Sequence, residues 1–176
     1  MIEIVPYDPS WPATFATEAQ SIRSMFGDLA RRVDHVGSTS VPNLAAKPVI
    51  DIQVSVASLE PRAPLHERMR ALGYTHFDLG AFDLVYPFFK KPSKWPSTHH
   101  VHLCAAGSDQ ERMHLAFRDY LRAHPDLAAE YSALKHRLAA AFDGTTLASQ
   151  EGYSLAKTEF VSSVLERAFS EGFPLK

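Results

Sequence analysis

One cysteine, Cys104, stands among the 176 residues. No disulfide can form within the chain, and zinc sites built from four cysteines, or from two cysteines and two histidines, are excluded. No apolar run approaches the ~18 residues needed to span a bilayer. The opening Met-Ile-Glu-Ile-Val-Pro-Tyr-Asp lacks the basic start and apolar stretch of a secretory signal, so a cytoplasmic protein with no membrane partner is expected. An excess of charge is lacking too. Lys and Arg total 18 against 20 Asp and Glu, a formal net charge of −2, which gives no electrostatic basis for bulk nucleic-acid binding. Repeats and low-complexity tracts are absent. What is present is an ordinary globular composition, 45% hydrophobic and 22% charged, read as one domain over residues 1–176.

Patterning divides the chain into a strand-rich first part and a helical second part. Phe15, Ala19, Ile22 and Phe26 form an apolar stripe that predicts a helix over 12–26, with Ser10 as its cap and Pro12 in its first turn. Residues 31–36 and 48–56 read as strands, the second Val/Ile-rich enough to sit centrally. Leu65 to Leu72 reads as a short helix stopped by Gly73. Strands follow over 82–90, with Pro87 marking an edge or an interruption, and over 99–104. Ser108-Asp-Gln-Glu111 is a capping box that opens a helix carrying Met113, Phe117, Tyr120 and Leu121. His124-Pro125-Asp126 breaks it and starts another, with Leu127, Tyr131, Leu134, Leu138 and Phe142 at helical spacing. A last helix is expected to carry Tyr153, Ala156, Phe160, Val164 and Ala168. The fold class that follows is α/β (α+β), a small mixed sheet flanked by helices with a helical C-terminal half.

Six groups of residues could carry chemistry. Gly37, just after a strand, permits positive φ and lets backbone N–H groups converge on an anion, and Ser38 adds a hydroxyl. The same pair also fits an ordinary tight turn. Asp51 and Gln53 share one strand face, roughly 6–7 Å apart, while Ile50, Ile52, Val54 and Val56 supply the other. An apolar strand tolerates Asp51 only where its charge is stabilised: by a metal, at a phosphate site, or by pairing with Lys47 or Arg31. His100 and His102 form a second same-face pair that could ligate a metal, meet a phosphate, or cap a cavity. Lys157 either snorkels from an apolar stripe or aims at a phosphate. Arg118 and His114, one turn apart, fit exposed helix surface. Lys90, Lys91 and Lys94 around Pro92 and Trp95 read as a solvated turn or a basic, aromatic lip on a cleft.

With those residues set out, the chain resembles the GrpB family of the nucleotidyltransferase superfamily. The resemblance covers nearly the whole length: Val5-Pro-Tyr-Asp8 with Trp11-Pro12, His35-Val-Gly-Ser-Thr-Ser-Val-Pro, Leu44-Ala-Ala-Lys-Pro-Val-Ile-Asp51, His100-Val-His-Leu, His114-Leu-Ala-Phe-Arg-Asp-Tyr-Leu-Arg, and Tyr153 with Ala156-Lys157-Thr158. It implies a nucleotidyltransferase-like fold in which a Gly-Ser turn holds nucleotide phosphates and carboxylates on the next strand bind magnesium. Carried over, Gly37, Ser38 and the adjoining Thr39 match the turn, and Asp51 matches the first carboxylate. Lys47, Arg118 and Lys157 are then assigned to phosphate. Gln53 stands where the second carboxylate belongs. Glutamine brings no negative charge, whereas magnesium prefers anionic oxygens. With His100 or His102 on the third-ligand strand, Asp51 and Gln53 would suit manganese or zinc better than magnesium.

Three functions follow as expectations. The first is a nucleotidyltransferase, with a nucleoside triphosphate on the Gly-Ser turn, a divalent ion at Asp51, Gln53, His100 and His102, and an acceptor hydroxyl attacking the α-phosphate. The second is a binding module for a small nucleotide or a coenzyme A-like ligand. It would have lost the chemistry with the second carboxylate, and the fusion of family members to dephospho-coenzyme A kinase agrees with it. The third is a histidine-based phosphoesterase resting on His100 and His102.

Overall fold

Ala19, Ile22 and Phe26 are buried along one stripe of α1 (Trp11–Phe26), as their helical spacing requires. Pro12 takes the first turn, but Ser10 makes no side-chain cap. Asp8 turns the chain just before the helix, its Oδ1 accepting from the Ser10 N–H at 2.8 Å. The computed structural model describes residues 2–94 and 96–174, so Trp95 lies outside the described residues. Two strands follow, β1 (Ala30–Val36) and β2 (Ile50–Val56), then α2 (Ala63–Ala71), β3 (Thr75–Phe77), β4 (Phe88–Lys91) and β5 (His99–Ala105). Four helices complete the order: α3 (Asp109–Ala123), α4 (Pro125–Ala141), α5 (Leu147–Leu155) and α6 (Thr158–Ser170).

The sheet runs β1-β2-β5-β4-β3. β2 and β5 are parallel and the other neighbours antiparallel. The alternation read from β2 is realised. Ile50, Ile52, Val54 and Val56 enter an apolar cluster with Ile22 and Phe26 of α1 and Leu65 and Met69 of α2. A second cluster, built from Tyr120 and Leu121 of α3, Tyr131 of α4 and Val164 of α6, holds the helical half together. The opposite sheet face, carrying Asp51, Gln53, His100 and His102, is the polar side.

Two expected elements differ. Residues 82–86 are not strand: Gly80–Leu84 is a 3-10 turn. Arg62 pins it, donating to the Asp83 carbonyl and carboxylate at 2.9 and 3.0 Å, and β4 begins only beyond Pro87. The single last helix is two, interrupted at Ala156 and Lys157. Ser108 caps α3 as expected, accepting from the Glu111 N–H. Among the described residues, no helix is long and apolar enough to cross a membrane.

Ile52 is fully buried on a strand paired on both sides. Ile52→Ala should therefore lower unfolding stability by about 3 kcal/mol through lost burial and a residual cavity, as chemical denaturation would measure; a change below about 1 kcal/mol would mean that β2 is not the centre of the core.

Candidate functional site

Val36 of β1 pairs with Asp51 of β2, and the chain leaves β1 through Gly37 at φ 67°. That angle favours glycine, and packing demands it. A Cβ at position 37 would stand 2.3 Å from Asp51 Oδ2, inside any tolerable contact. The following turn is tied down from several sides. The Ser40 hydroxyl donates to the Gly37 carbonyl at 2.6 Å, and Arg122 of α3 donates twice to the Ser40 carbonyl. Thr39 is buried and gives its proton to the Val49 carbonyl at 3.0 Å. His35, 3.0 Å from the same Thr39 oxygen, must then donate through Nε2–H. Burial pushes the His35 imidazole down to about 4, consistent with a neutral ring.

Beside this turn lies a cavity of about 210 Å³, lined by Ser38, Lys47, Asp51, His100, Lys135 and Lys157 with Tyr153 among them. Three lysines thus arrive from three elements: the loop before β2, the middle of α4, and the break between α5 and α6. Lys47 Nζ lies 4.2 Å and Lys157 Nζ 4.3 Å from the centre of the Tyr153 ring, the geometry of a cation–π contact. Lys135 is buried and donates to the Ala45 carbonyl. Burial, with the charge of Lys157 adding to it, pushes Lys135 down to about 7. Burial and the charge of Lys47 bring Lys157 to about 8. Burial holds the phenol of Tyr131 on α4 above the usual range.

Asp51 keeps 30% of its side chain exposed, its Oδ1 being 3.3 Å from His100 Nδ1. Burial works against its charge, but the hydrogen bond and charge of His100 outweigh this and hold the carboxyl below its ordinary value. His100 in turn meets Ser97 Oγ through Nε2 at 2.7 Å. One carboxylate and three lysines in one small cavity give it the composition of an anion site when the lysines are protonated.

The site residues read from the sequence divide here. Gly37, Ser38, Lys47, Asp51, His100 and Lys157 are brought together, and Thr39 lines the cavity with its hydroxyl spent on the loop. Gln53 is not a site residue by position. It is fully buried, its Oε1 accepts from Tyr86 at 3.1 Å, and its Nε2 points to the Glu111 carbonyl at 3.4 Å. His102 is likewise withdrawn, stacked on Tyr86 and Phe88 at 4.3 and 4.8 Å, and burial pushes it down to about 3. Arg118 turns from the cavity to join α3 to β1, bonding Asp119 at 2.6 Å and the His35 carbonyl at 3.2 Å. His114 is not exposed surface but stacks on Tyr86 at 4.6 Å.

These placements bear on a metal. Among the described residues, no group of three or more His, Cys, Asp or Glu is placed to hold an ion. With Gln53 neutral and engaged elsewhere, Asp51 and His100 are the two donors left at the cavity, and an ion there would need further oxygens from a bound ligand. Lys135, Tyr153 and Ser154 line the cavity and were not read as site residues from the sequence; the signal for Lys135 was a lysine one turn after Tyr131 on an otherwise apolar helix stripe. A larger groove of about 500 Å³ between α4 and α6 carries Glu130, Arg137 and Glu159. Its mixed charges lack the convergence seen at Asp51.

The sheet order and the Gly-turn beside a strand-borne acid define a nucleotidyltransferase-like fold. The chain shares that fold with the Cid1 poly(U) polymerase in its magnesium 3'-dATP-bound structure, at a TM-score of 0.53 and 16% identity over 81% of this chain and 45% of that one. Residues 1–167 match the family model described as GrpB protein, and the chain belongs to the GrpB family. The crystal structure of the conserved protein GrpB from Enterococcus faecalis aligns at a TM-score of 0.82 with 36% identity, covering 96% of this chain and 98% of that one. The UPF0157 protein YqkA of Bacillus subtilis is 38% identical over 167 residues, 95% of this chain; the chain spans 47% of that relative's length.

Gly37→Ala should lower stability by about 2 kcal/mol or more, since it combines a left-handed backbone with a clash against Asp51. Gly107→Ala, at φ 78° with nothing within 4 Å of the added carbon, should lose only the backbone part, about 1 kcal/mol. Equal losses, read by thermal or chemical denaturation, would show that Gly37 does not abut Asp51.

Proposed function

We propose that this protein binds the phosphate chain of a nucleoside triphosphate in the lysine-lined cavity and transfers the nucleotidyl group to an acceptor hydroxyl. The observation that carries the reading is the convergence of Lys47, Lys135 and Lys157 on one cavity with Ser38 and Asp51. Like charges brought this close raise the free energy of the empty site and favour an anion that neutralises them. In this reading the β- and γ-phosphates lie among the lysines and the α-phosphate lies by Asp51. The acceptor oxygen bonds to the α-phosphorus and gives up its proton toward Asp51. The bond to the bridging oxygen breaks, and pyrophosphate leaves onto the lysines. The lysines supply the charge stabilisation of the leaving group, and no step is routed through a metal.

A second reading has its own support. Gln53 occupies the second acid position and is locked between Tyr86 and Glu111, so the site suits retention of a nucleotide or coenzyme A-like ligand without turnover. The phosphoesterase reading loses its second histidine, because His102 faces Tyr86 and Phe88 rather than the cavity.

The sign of the pH dependence follows from the lysines. A bound polyphosphate raises the pKa of each lysine it meets. Above about 7 for Lys135 and about 8 for Lys157 binding therefore takes up protons, and affinity falls as pH rises. Tripolyphosphate measured by calorimetry should lose about tenfold or more in affinity between about pH 7.5 and 9.5. Lys135→Met and Lys157→Met should each weaken it about tenfold, ~1.4 kcal/mol, and flatten that slope. Affinity that rises with pH, or that both variants leave intact, contradicts the reading. Nucleotide binding without pyrophosphate release selects the second reading over the first.

A further inference from the structure

In-line displacement puts the acceptor on the side of the α-phosphate opposite the leaving pyrophosphate. If the lysines take the pyrophosphate, the acceptor must approach from the other side of Asp51. That direction is fixed by the sheet. Asp51 pairs with His100 on β5, His100 with Lys90 on β4, and Lys90 with Thr75 on β3. One register step along, Gln53 pairs with His102, His102 with Phe88, and Phe88 with Phe77. Two rows therefore leave the cavity on one sheet face: a polar, basic row through His100 and Lys90, and an aromatic row through Phe88 and Phe77.

The two rows are built as a shelf. Phe77, Phe88, Lys90 and His100 are all half-buried and so retain exposed surface. The Lys90 ammonium stands 3.7 Å from the Phe77 ring centre, the Phe77 and Phe88 rings are 6.4 Å apart, and His100 sets its edge against Phe88 at 5.0 Å. Lys91, by contrast, leaves this face for Glu18 at 2.7 Å. Neighbouring strands are about 4.8 Å apart, so the shelf from β2 to β3 is roughly 14 Å wide, the reach of one nucleotide. Aromatic faces stack any nucleobase, and a lysine beside them complements a phosphate.

We infer that the face formed by Phe77, Phe88 and Lys90, which meets the lysine cavity at His100, is the acceptor site, and that it takes a small acceptor bearing both an aromatic base and a phosphate. The net charge of −2 favours a single nucleotide unit over a polynucleotide strand, which would need a longer basic track. The inference rests on the proposed function for its direction of approach, but the shelf binds its ligand without the lysine cavity.

The test is equilibrium binding of adenosine 5'-monophosphate with and without saturating tripolyphosphate, followed by calorimetry and ligand-observed magnetic resonance. Both probes should bind at once. Phe88→Leu and Lys90→Gln should each weaken the monophosphate fivefold or more and move tripolyphosphate less than twofold; Lys157→Met should do the reverse. Lys90→Gln, at a half-exposed position, keeps the test valid if Phe88→Leu disturbs folding. Loss of tripolyphosphate binding alone removes the proposed function and leaves the shelf standing. Competition between the two probes, no binding of the monophosphate, or no effect of either shelf variant overturns the inference. So does a hexa-adenylate that binds more than tenfold tighter than the monophosphate.

Discussion

The Asp51 carboxylate lies against the bare Cα of Gly37, and the rest of the site is arranged around that contact. Its Oδ2 occupies the space that any larger residue's Cβ would fill, so the turn leaving β1 and the acid on β2 are fixed relative to one another. The turn is held in place from outside by Arg122 on the Ser40 carbonyl and from inside by Thr39 on the Val49 carbonyl. Because β2 is an interior strand, its apolar residues secure it in the sheet while Asp51 emerges at the cavity. Asp51 stays charged there because His100 offsets the burial. The packed core thus positions an acid that the core itself could not contain.

Around this acid the charge is unbalanced on purpose of geometry rather than composition. The chain as a whole is slightly acidic, yet Lys47, Lys135 and Lys157 meet in one cavity. All three hold their protons less tightly than a free lysine because they are buried, and Lys135 and Lys157 also because they lie beside another cation. In the proposed function an incoming polyanion stabilises this site, which would link occupancy to proton uptake. The helices contribute by their breaks as much as by their length. Lys157 reaches the cavity because the chain is interrupted between α5 and α6, and Lys135 of α4 is held there by the Ala45 carbonyl and the Tyr131 ring.

Much of the fold was legible where one physical signal dominated. The Ile/Val alternation of β2 separated core from site, the Ser108 box marked the start of α3, and Pro125 marked the boundary of α4. Turn chemistry that depends on distant partners was not legible. Phe82 to Tyr86 has strand-like composition, but Arg62, some twenty residues earlier, draws Asp83 into a 3-10 turn. Site residues followed the same division. Same-face spacing grouped Asp51 with Gln53 and His100 with His102, yet spacing along a strand says nothing of what covers each position. Tyr86 and the α3 backbone seal Gln53, and His102 stacks on Tyr86, whereas Asp51 and His100 line the cavity. Arg118 had the charge of a phosphate ligand and was committed to β1 instead. Lys135 was hidden by its apolar neighbours on α4, because a buried lysine at the i+4 position from a tyrosine reads locally as a snorkelling side chain.

The most direct test is a crystal structure with a non-hydrolysable triphosphate analogue at saturating concentration. The account predicts β- and γ-phosphate density among Lys47, Lys135 and Lys157 and the α-phosphate beside Asp51. An analogue seated elsewhere, such as the groove between α4 and α6, with no phosphate among the three lysines, would contradict it.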